Sequence, residues 1–181
     1  MNLTEQTINS KLIFDGRVIK VCLDDVMLPN GNTSTREVVK HNGGVTISAL
    51  TQDNELLFVE QYRYPYHEVV LELPAGKLEL GQTPLENGKR ELEEETGAIG
   101  SSYMSLGKLY PSPGYCGEII HMYFCRVESF GELNPDEDEF LNVKKIPLNT
   151  AVEMVLNNQI PDAKTQVAIL KTAFLIDKGI I

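Results

Sequence analysis

The sequence predicts an α+β domain in which a mixed sheet is layered between helices in an α/β/α arrangement, preceded by a small N-terminal antiparallel sheet. Three observations carry that expectation. Short alternating or β-branched segments recur along most of the 181 residues, one strongly signalled helix interrupts them, and two further helical patterns come near the end. No internal repeat, low-complexity stretch or interdomain linker breaks this order.

Taken along the chain, Arg17 to Met27 and Arg36 to Lys40 read as strands separated by Pro29-Asn30-Gly31-Asn32, whose Asn-Gly pair signals a hairpin. Residues 1–42 are therefore expected to form the small sheet and residues 43–181 the main domain. Further strands are expected at Val45 to Leu50, Glu55 to Tyr62, Val69 to Leu73, Tyr103 to Tyr110, Ile119 to Val127 and Phe140 to Ile146. The helix from Pro84 to Thr96 is marked at both ends. Thr83 and Glu86 make a Thr-x-x-Glu capping box, Pro84 suits the first helical position, and Gly97 supplies the stop. Two more helices are expected near Thr150 to Asn157 and Ala163 to Lys178, divided by Pro161-Asp162.

Sixteen basic residues stand against twenty-six acidic ones, a formal charge of -10, so a nucleic acid is not an expected partner. A small anionic substrate remains compatible with that field, because a bound divalent cation reverses the local potential. Cys22, Cys116 and Cys125 include no CxxC pair and read as free thiols in a reducing compartment. Asn2 to Ser10 is polar and lacks a signal-peptide layout, and no apolar run approaches membrane-spanning length. A soluble, cytoplasmic protein without a membrane partner is expected.

On the central helix the period of 3.6 places Glu91, Glu94 and Glu95 on one face, with Leu85 and Leu92 on another. Like charges so placed destabilise a helix by roughly 0.2 to 0.5 kcal/mol per pair. A bound cation turns that cost into a site. Magnesium is the expected ion, with manganese as a substitute, because a hard cation prefers oxygen ligands and no His or Cys shares the face. Just before the helix, Gly76 permits close backbone approach and the Ala75 carbonyl can add a neutral oxygen ligand. Read from the acidic face alone, a solvated surface is the commoner interpretation, since surface charge runs are common.

Gly76, five residues, Gln82, seven residues and then Arg90-Glu91-Leu92-x-Glu94-Glu95-x-Gly97-Ala98 resembles the Nudix box. The family pattern has Glu where this chain has Gln82, and usually a bulkier apolar residue than Ala98. The resemblance implies the Nudix fold, with Glu91 and Glu95 as the main metal ligands, Glu94 as a further ligand or base, and Arg90 orienting the carboxylates. Gln can keep the supporting hydrogen bond of that Glu while losing its charge, so metal binding is expected to be retuned rather than lost, and Gln82→Glu to preserve or improve turnover.

Segments outside the box resemble the ADP-ribose pyrophosphatase subgroup. Glu60-Gln61-Tyr62-Arg63-Tyr64 and Glu72-Leu73-Pro74-Ala75-Gly76 match its approach to the box, and Arg63 offers paired donors to a phosphate, with Glu72 as a further substrate residue. Tyr110-Pro111-Ser112-Pro113-Gly114-Tyr115 places Pro113 where the subgroup has a proline linked to ADP-ribose preference, with Gly114 and Glu118 as further contacts. In the acidic stretch Asn134 to Phe140, alignment on Phe140 makes Glu139 the residue that activates water, and Glu137 the second choice. Arg36 and His41 resemble a region that, in the subgroup, joins a second subunit and helps enclose the adenosine, which implies a homodimer. The implied reaction is magnesium-dependent hydrolysis of ADP-ribose to AMP and ribose 5-phosphate. Alternatives are a pyrophosphatase for another nucleotide sugar, a triphosphate pyrophosphohydrolase, against which Pro113 speaks, and a non-catalytic ADP-ribose sensor.

Overall fold

A computed structural model describes residues 2–134 and 140–181. The N-terminal hairpin forms as expected, and an additional strand lies beside it. β1 (Gln6–Asp15), β2 (Lys20–Met27) and β3 (Thr33–Lys40) make an antiparallel sheet in the order β1-β2-β3. β1 has no counterpart among the strands expected from sequence. Each of its ten residues is exposed, so the chain carries none of the buried and exposed alternation that marks a strand, and pairing with β2 alone defines it. This sheet, up to Gly43, forms one compact unit together with Tyr110–Ile119. Within that unit Val39 bridges Cys116, its N–H donating to the Tyr115 carbonyl at 2.8 Å and its carbonyl accepting from Gly117 at 2.9 Å.

The second compact unit comprises Gly44–Leu109 and Ile120–Ile181. Its strands are β4 (Gly44–Leu50), β5 (Glu55–Arg63), β6 (Glu68–Glu72), β7 (Ala75–Lys77), β8 (Ala98–Leu109), β9 (Ile120–Phe130) and β10 (Leu141–Pro147). They pair in the order β10-β5-β4-β9-β8, with β6 on β5 and β7 on β4. The β4–β9 pair is parallel and the others antiparallel, so the sheet is mixed. Three helices are present among the described residues: α1 (Pro84–Thr96), α2 (Leu148–Leu156) and α3 (Ala163–Asp177).

The layering follows from alternation along β4, every residue of which is buried. Val45, Ile47 and Ala49 pack with Leu57, Cys125, Val127 and Leu92 of α1. Leu50, on the alternate register, packs with Leu56, Phe58, Met122 and Phe124, against Ala151 and Val155 of α2 and Ala168 and Ile169 of α3. Ser48 also belongs to this second side, where its hydroxyl accepts a buried hydrogen bond from Thr172 of α3 at 2.8 Å. One helix on one face and two on the other make the α/β/α sandwich. Leu92 is fully buried, which contributes about 1.5 to 3 kcal/mol and turns the opposite side of α1 away from the core.

Candidate functional site

The site is built on α1 and the turn that precedes it. Both halves of the capping box form: the Thr83 hydroxyl accepts from Glu86 N–H at 3.3 Å, and the Glu86 carboxylate accepts from Thr83 N–H at 2.7 Å. Gly97 ends the helix in the left-handed region at φ 68, its N–H donating to the Glu93 carbonyl at 2.7 Å. With Leu92 fixed inward, Glu91 and Glu95 are also drawn in, at 8% and 2% exposure. Buried carboxylates require compensation. For Glu95 part of it comes from the Ala75 N–H, which donates to its Oε2 at 3.0 Å. Glu91 lies against Gly76 so closely that a Cβ there would stand 2.0 Å from the carboxylate, so only glycine leaves room for it. β7, which is not among the strands expected from sequence, holds this turn in place by pairing Ala75 with Thr46 and Gly76 with Val45.

Arg90 ties the acidic face together. Its Nη2 donates to Glu91 Oε1 at 2.7 Å and its Nη1 to Glu94 Oε2 at 2.5 Å, while Nη2 also lies 3.2 Å from Glu79 Oε1. Burial works against the guanidinium charge, but Glu91, Glu94 and Glu79 outweigh it and raise the Arg90 pKa above its ordinary value. Arg90 Nε is buried without a hydrogen-bond partner among the described residues. Arg90, Glu94, Lys89, Glu93, Glu132 and Asn134 line an open depression of about 430 Å³.

A second charged group adjoins Glu95. Arg63 donates from Nε to Glu72 Oε1 at 2.5 Å and from Nη2 to Oε2 at 2.8 Å, and Lys164 pairs with the same Glu72 carboxylate and with Asp162 at 3.0 Å. Burial pushes the Glu72 pKa up, but Arg63 and Lys164 together hold it below the usual carboxylate value. The hydrogen bond to Glu72 raises Arg63 in turn, opposed by burial, with Asp162 and Glu95 adding smaller attractions. Glu72 is 3% exposed, with both oxygens engaged, so in this structure its work is to hold Arg63. The donor edge expected to clamp a phosphate is already on Glu72, and Nη1 is the remaining end of the guanidinium.

The sequence-predicted residues therefore divide. Ala75, Glu91, Glu94, Glu95 and Arg90 come together on and around α1, with Arg63 and Glu72 beside Glu95. Arg36, His41, Pro113, Gly114 and Glu118 belong to the other compact unit. There Arg36 is bound through two nitrogens to Glu5, at 3.0 and 2.5 Å. His41 Nδ1 accepts from Gly43 N–H at 3.0 Å and lies 3.4 Å from Glu118 Oε1. Pro113 is exposed in the turn where Cys116 N–H donates to the Ser112 carbonyl at 3.0 Å. Glu137 and Glu139 lie outside the described residues.

Sequence reasoning missed Lys164, Glu79 and Asn87 as parts of the site. Glu79 was legible as an acid between Gly76 and Gln82, whereas Lys164 stands 92 residues from Glu72 and left no local trace.

The donor set fits a hard divalent cation only with help. Among the described residues no three His, Cys, Asp or Glu side chains form a ready-made cage. Two buried carboxylates and a backbone carbonyl leave the other positions to water or phosphate oxygens, which is how magnesium is commonly held. Room made for Glu91 by a bare glycine fits the same purpose.

A family model described as the NUDIX domain matches residues 40–167, well over half of the chain. The chain belongs to the Nudix hydrolase family. A second model, the nucleoside diphosphate sugar hydrolase N-terminal domain, matches residues 5–39 of this Nudix hydrolase. Among curated relatives, an ADP-ribose pyrophosphatase of Bacillus subtilis is 41% identical over 93% of this chain and 92% of its own. A methanol dehydrogenase activator of Bacillus methanolicus is 44% identical over 91% and 90% of the two chains. A GDP-mannose pyrophosphatase of Yersinia enterocolitica is 32% identical over 78% and 80%. A solved chain described as an ADP compounds hydrolase superposes with a TM-score of 0.87 over 100% of both chains at 22% identity, which establishes the Nudix fold. The family generally uses divalent metal ions. No helix among the described residues is long and apolar enough to cross a membrane.

Proposed function

We propose that this Nudix hydrolase cleaves the diphosphate of ADP-ribose, giving AMP and ribose 5-phosphate. The observation that carries the reading is the clasp between Ala75 N–H and Glu95, which joins the glycine turn to the acidic helix next to Arg63. The choice of ADP-ribose leans on the Bacillus subtilis relative.

Glu91, Glu95 and the Ala75 carbonyl would hold magnesium, which when bound supplies Lewis acidity to the phosphate oxygens. The remaining work falls to the chain. Arg90 fixes Glu91 and Glu94 relative to each other through separate nitrogens. Arg63, locked by Glu72, presents Nη1 to a phosphate oxygen and offsets its charge. Glu139, with Glu137 as the alternative, accepts the proton of the attacking water. The chain enters that acidic stretch from Asn134, whose N–H donates to the Glu94 carbonyl at 3.2 Å.

The reading includes a homodimer joined through the N-terminal sheet. Ile8, Leu12, Ile13 and Phe14 of β1 are each at least half exposed, apolar surface of the kind that a second subunit would cover. Replacing Leu12 and Phe14 by Glu should convert a dimer to a monomer in light scattering; a wild-type chain that is already monomeric removes this part.

The deciding experiment offers ADP-ribose, ADP-glucose, GDP-mannose, NADH and nucleoside triphosphates with magnesium and identifies the products. AMP and ribose 5-phosphate, lost in EDTA and restored by magnesium, are expected. Preferred turnover of GDP-mannose moves the assignment to the sugar class of the Yersinia relative. Turnover of triphosphates at a comparable rate, or activity persisting in excess EDTA, overturns it. A second reading, activation of a methanol dehydrogenase, rests on the Bacillus methanolicus relative and is tested by adding the chain to such an enzyme.

A further inference from the structure

Arg90 is held on its outer side by an acid that the box pattern does not specify. Glu79 Oε1 lies 3.2 Å from Arg90 Nη2, and Glu79 Oε2 accepts from the Gln82 side-chain amide at 2.9 Å. The same Nη2 donates to Glu91, whose carboxylate rests on Gly76. Four side chains thus run in series from Gln82 through Glu79 and Arg90 to Glu91.

The backbone of Glu79 is independently fixed. Asn87 is completely buried in α1; its Oδ1 accepts from Glu79 N–H at 3.0 Å and its Nδ2 donates to the Thr83 carbonyl at 3.0 Å. The turn carrying Glu79 is therefore pinned to the helix carrying Arg90. An amide at position 82 suits this arrangement because only a donor can bond a carboxylate acceptor, whereas a Glu there would set two like charges side by side.

We propose that Glu79 is a positioning residue of the metal site, fixing the Arg90 guanidinium against Glu91 and Glu94, with Gln82 as its matched hydrogen-bond donor. The departure of this chain from the box pattern at Gln82 is then one half of a pair. The inference rests on Glu91 as a metal ligand, as in the proposed function, and is independent of which nucleotide is cleaved. It narrows the expectation for Gln82→Glu from preserved or improved function to no gain.

The test is Mn2+ binding by the substrate-free protein, with free Mn2+ read by electron paramagnetic resonance. The variants are Glu79→Gln, Gln82→Glu and the double exchange, each checked by thermal melting. Glu79→Gln should weaken Mn2+ affinity about 10-fold, the lower end of what loss of a ligand-supporting group causes, because the pair is partly exposed. The double exchange puts the carboxylate and amide back at the same two positions in reverse and should return to within about 3-fold of wild type. Gln82→Glu alone should not tighten binding. Rescue by exchange is the outcome a merely structural role for Glu79 does not give. Wild-type affinity in Glu79→Gln, a double variant as weak as the single one, or tighter binding in Gln82→Glu overturns the proposal. If Glu79→Gln fails to fold, the double exchange decides alone, near-wild-type affinity supporting the pair and a 10-fold loss sinking it. A wild-type protein that shows this Mn2+ pattern yet leaves ADP-ribose intact sinks the substrate reading only, and one that binds no Mn2+ sinks both.

Discussion

Around Arg63, two cations share a buried carboxylate, with Asp162 as a second acid; around Arg90, one guanidinium faces the three carboxylates of Glu79, Glu91 and Glu94. The first group is balanced, and its members are bound chiefly to one another. The second is short of positive charge and borders an open depression, with Glu95 buried nearby. A balanced buried group acts as a strut, since removing one member leaves the others charged and unpaired. An acid-rich group reaches balance when a cation joins it. Two arginine-centred clusters in one unit are thus suited to different tasks: under the proposed function, one would brace the donor offered to phosphate and the other would receive the metal.

That contrast is most directly broken at Glu95. Glu95→Gln should lower kcat/KM about 1000-fold, roughly 4 kcal/mol of transition-state stabilisation, with an unchanged circular dichroism spectrum. More than a tenth of wild-type activity would move the metal chemistry off α1.

Gly76→Ala forces the Glu91 carboxylate to move, because the new Cβ would lie 2.0 Å from it. Magnesium affinity should fall about 100-fold by calorimetry, as when a ligand loses its support. Wild-type affinity would mean that Glu91 does not need its present place.

At the strut, Glu72→Gln should cost about 3 kcal/mol in urea unfolding, because Arg63 and Lys164 lose their common counter-charge. An unaltered urea midpoint would end the distinction between the two clusters.

The smallest effect is one of pH. Glu72 is held below its ordinary value of 4.5, so its contribution is present above that pH and is lost as pH falls through its lower folded value. The stability gap between wild type and Glu72→Gln should therefore narrow in acid, and a gap that widens below pH 4.5 would reverse the assigned sign.

What could be read in advance depended on how local the cause was. The helix Pro84–Thr96 has the bounds expected from sequence because its cap, first-turn proline and glycine stop act within a few residues of one another. β7 escaped notice because Pro74 and Gly76 mark a loop, and only pairing with Val45 and Thr46 makes Ala75–Lys77 a strand. Tyr103 was read as the start of β8, which begins at Ala98, because the earlier residues gain their order from the opposing β9 strand. The acidic face was legible from its spacing. That Arg63 would be engaged by Glu72, and that Lys164 would share the same acid, depends on contacts spanning 9 and 92 residues, which no local pattern reports.

β4 serves both cores at once, with Val45, Ile47 and Ala49 on the α1 side and Leu50 on the α2 and α3 side. The same seven residues also carry the edge that holds Ala75 and Gly76. In a saturation mutagenesis experiment selected for folded protein, β4 is where polar replacements should be depleted at successive positions rather than alternate ones. β1, which buries none of its residues, should accept the widest range of residues when folding of the chain alone is selected. Tolerance to sequence change is thus set strand by strand, by how many faces each has to satisfy.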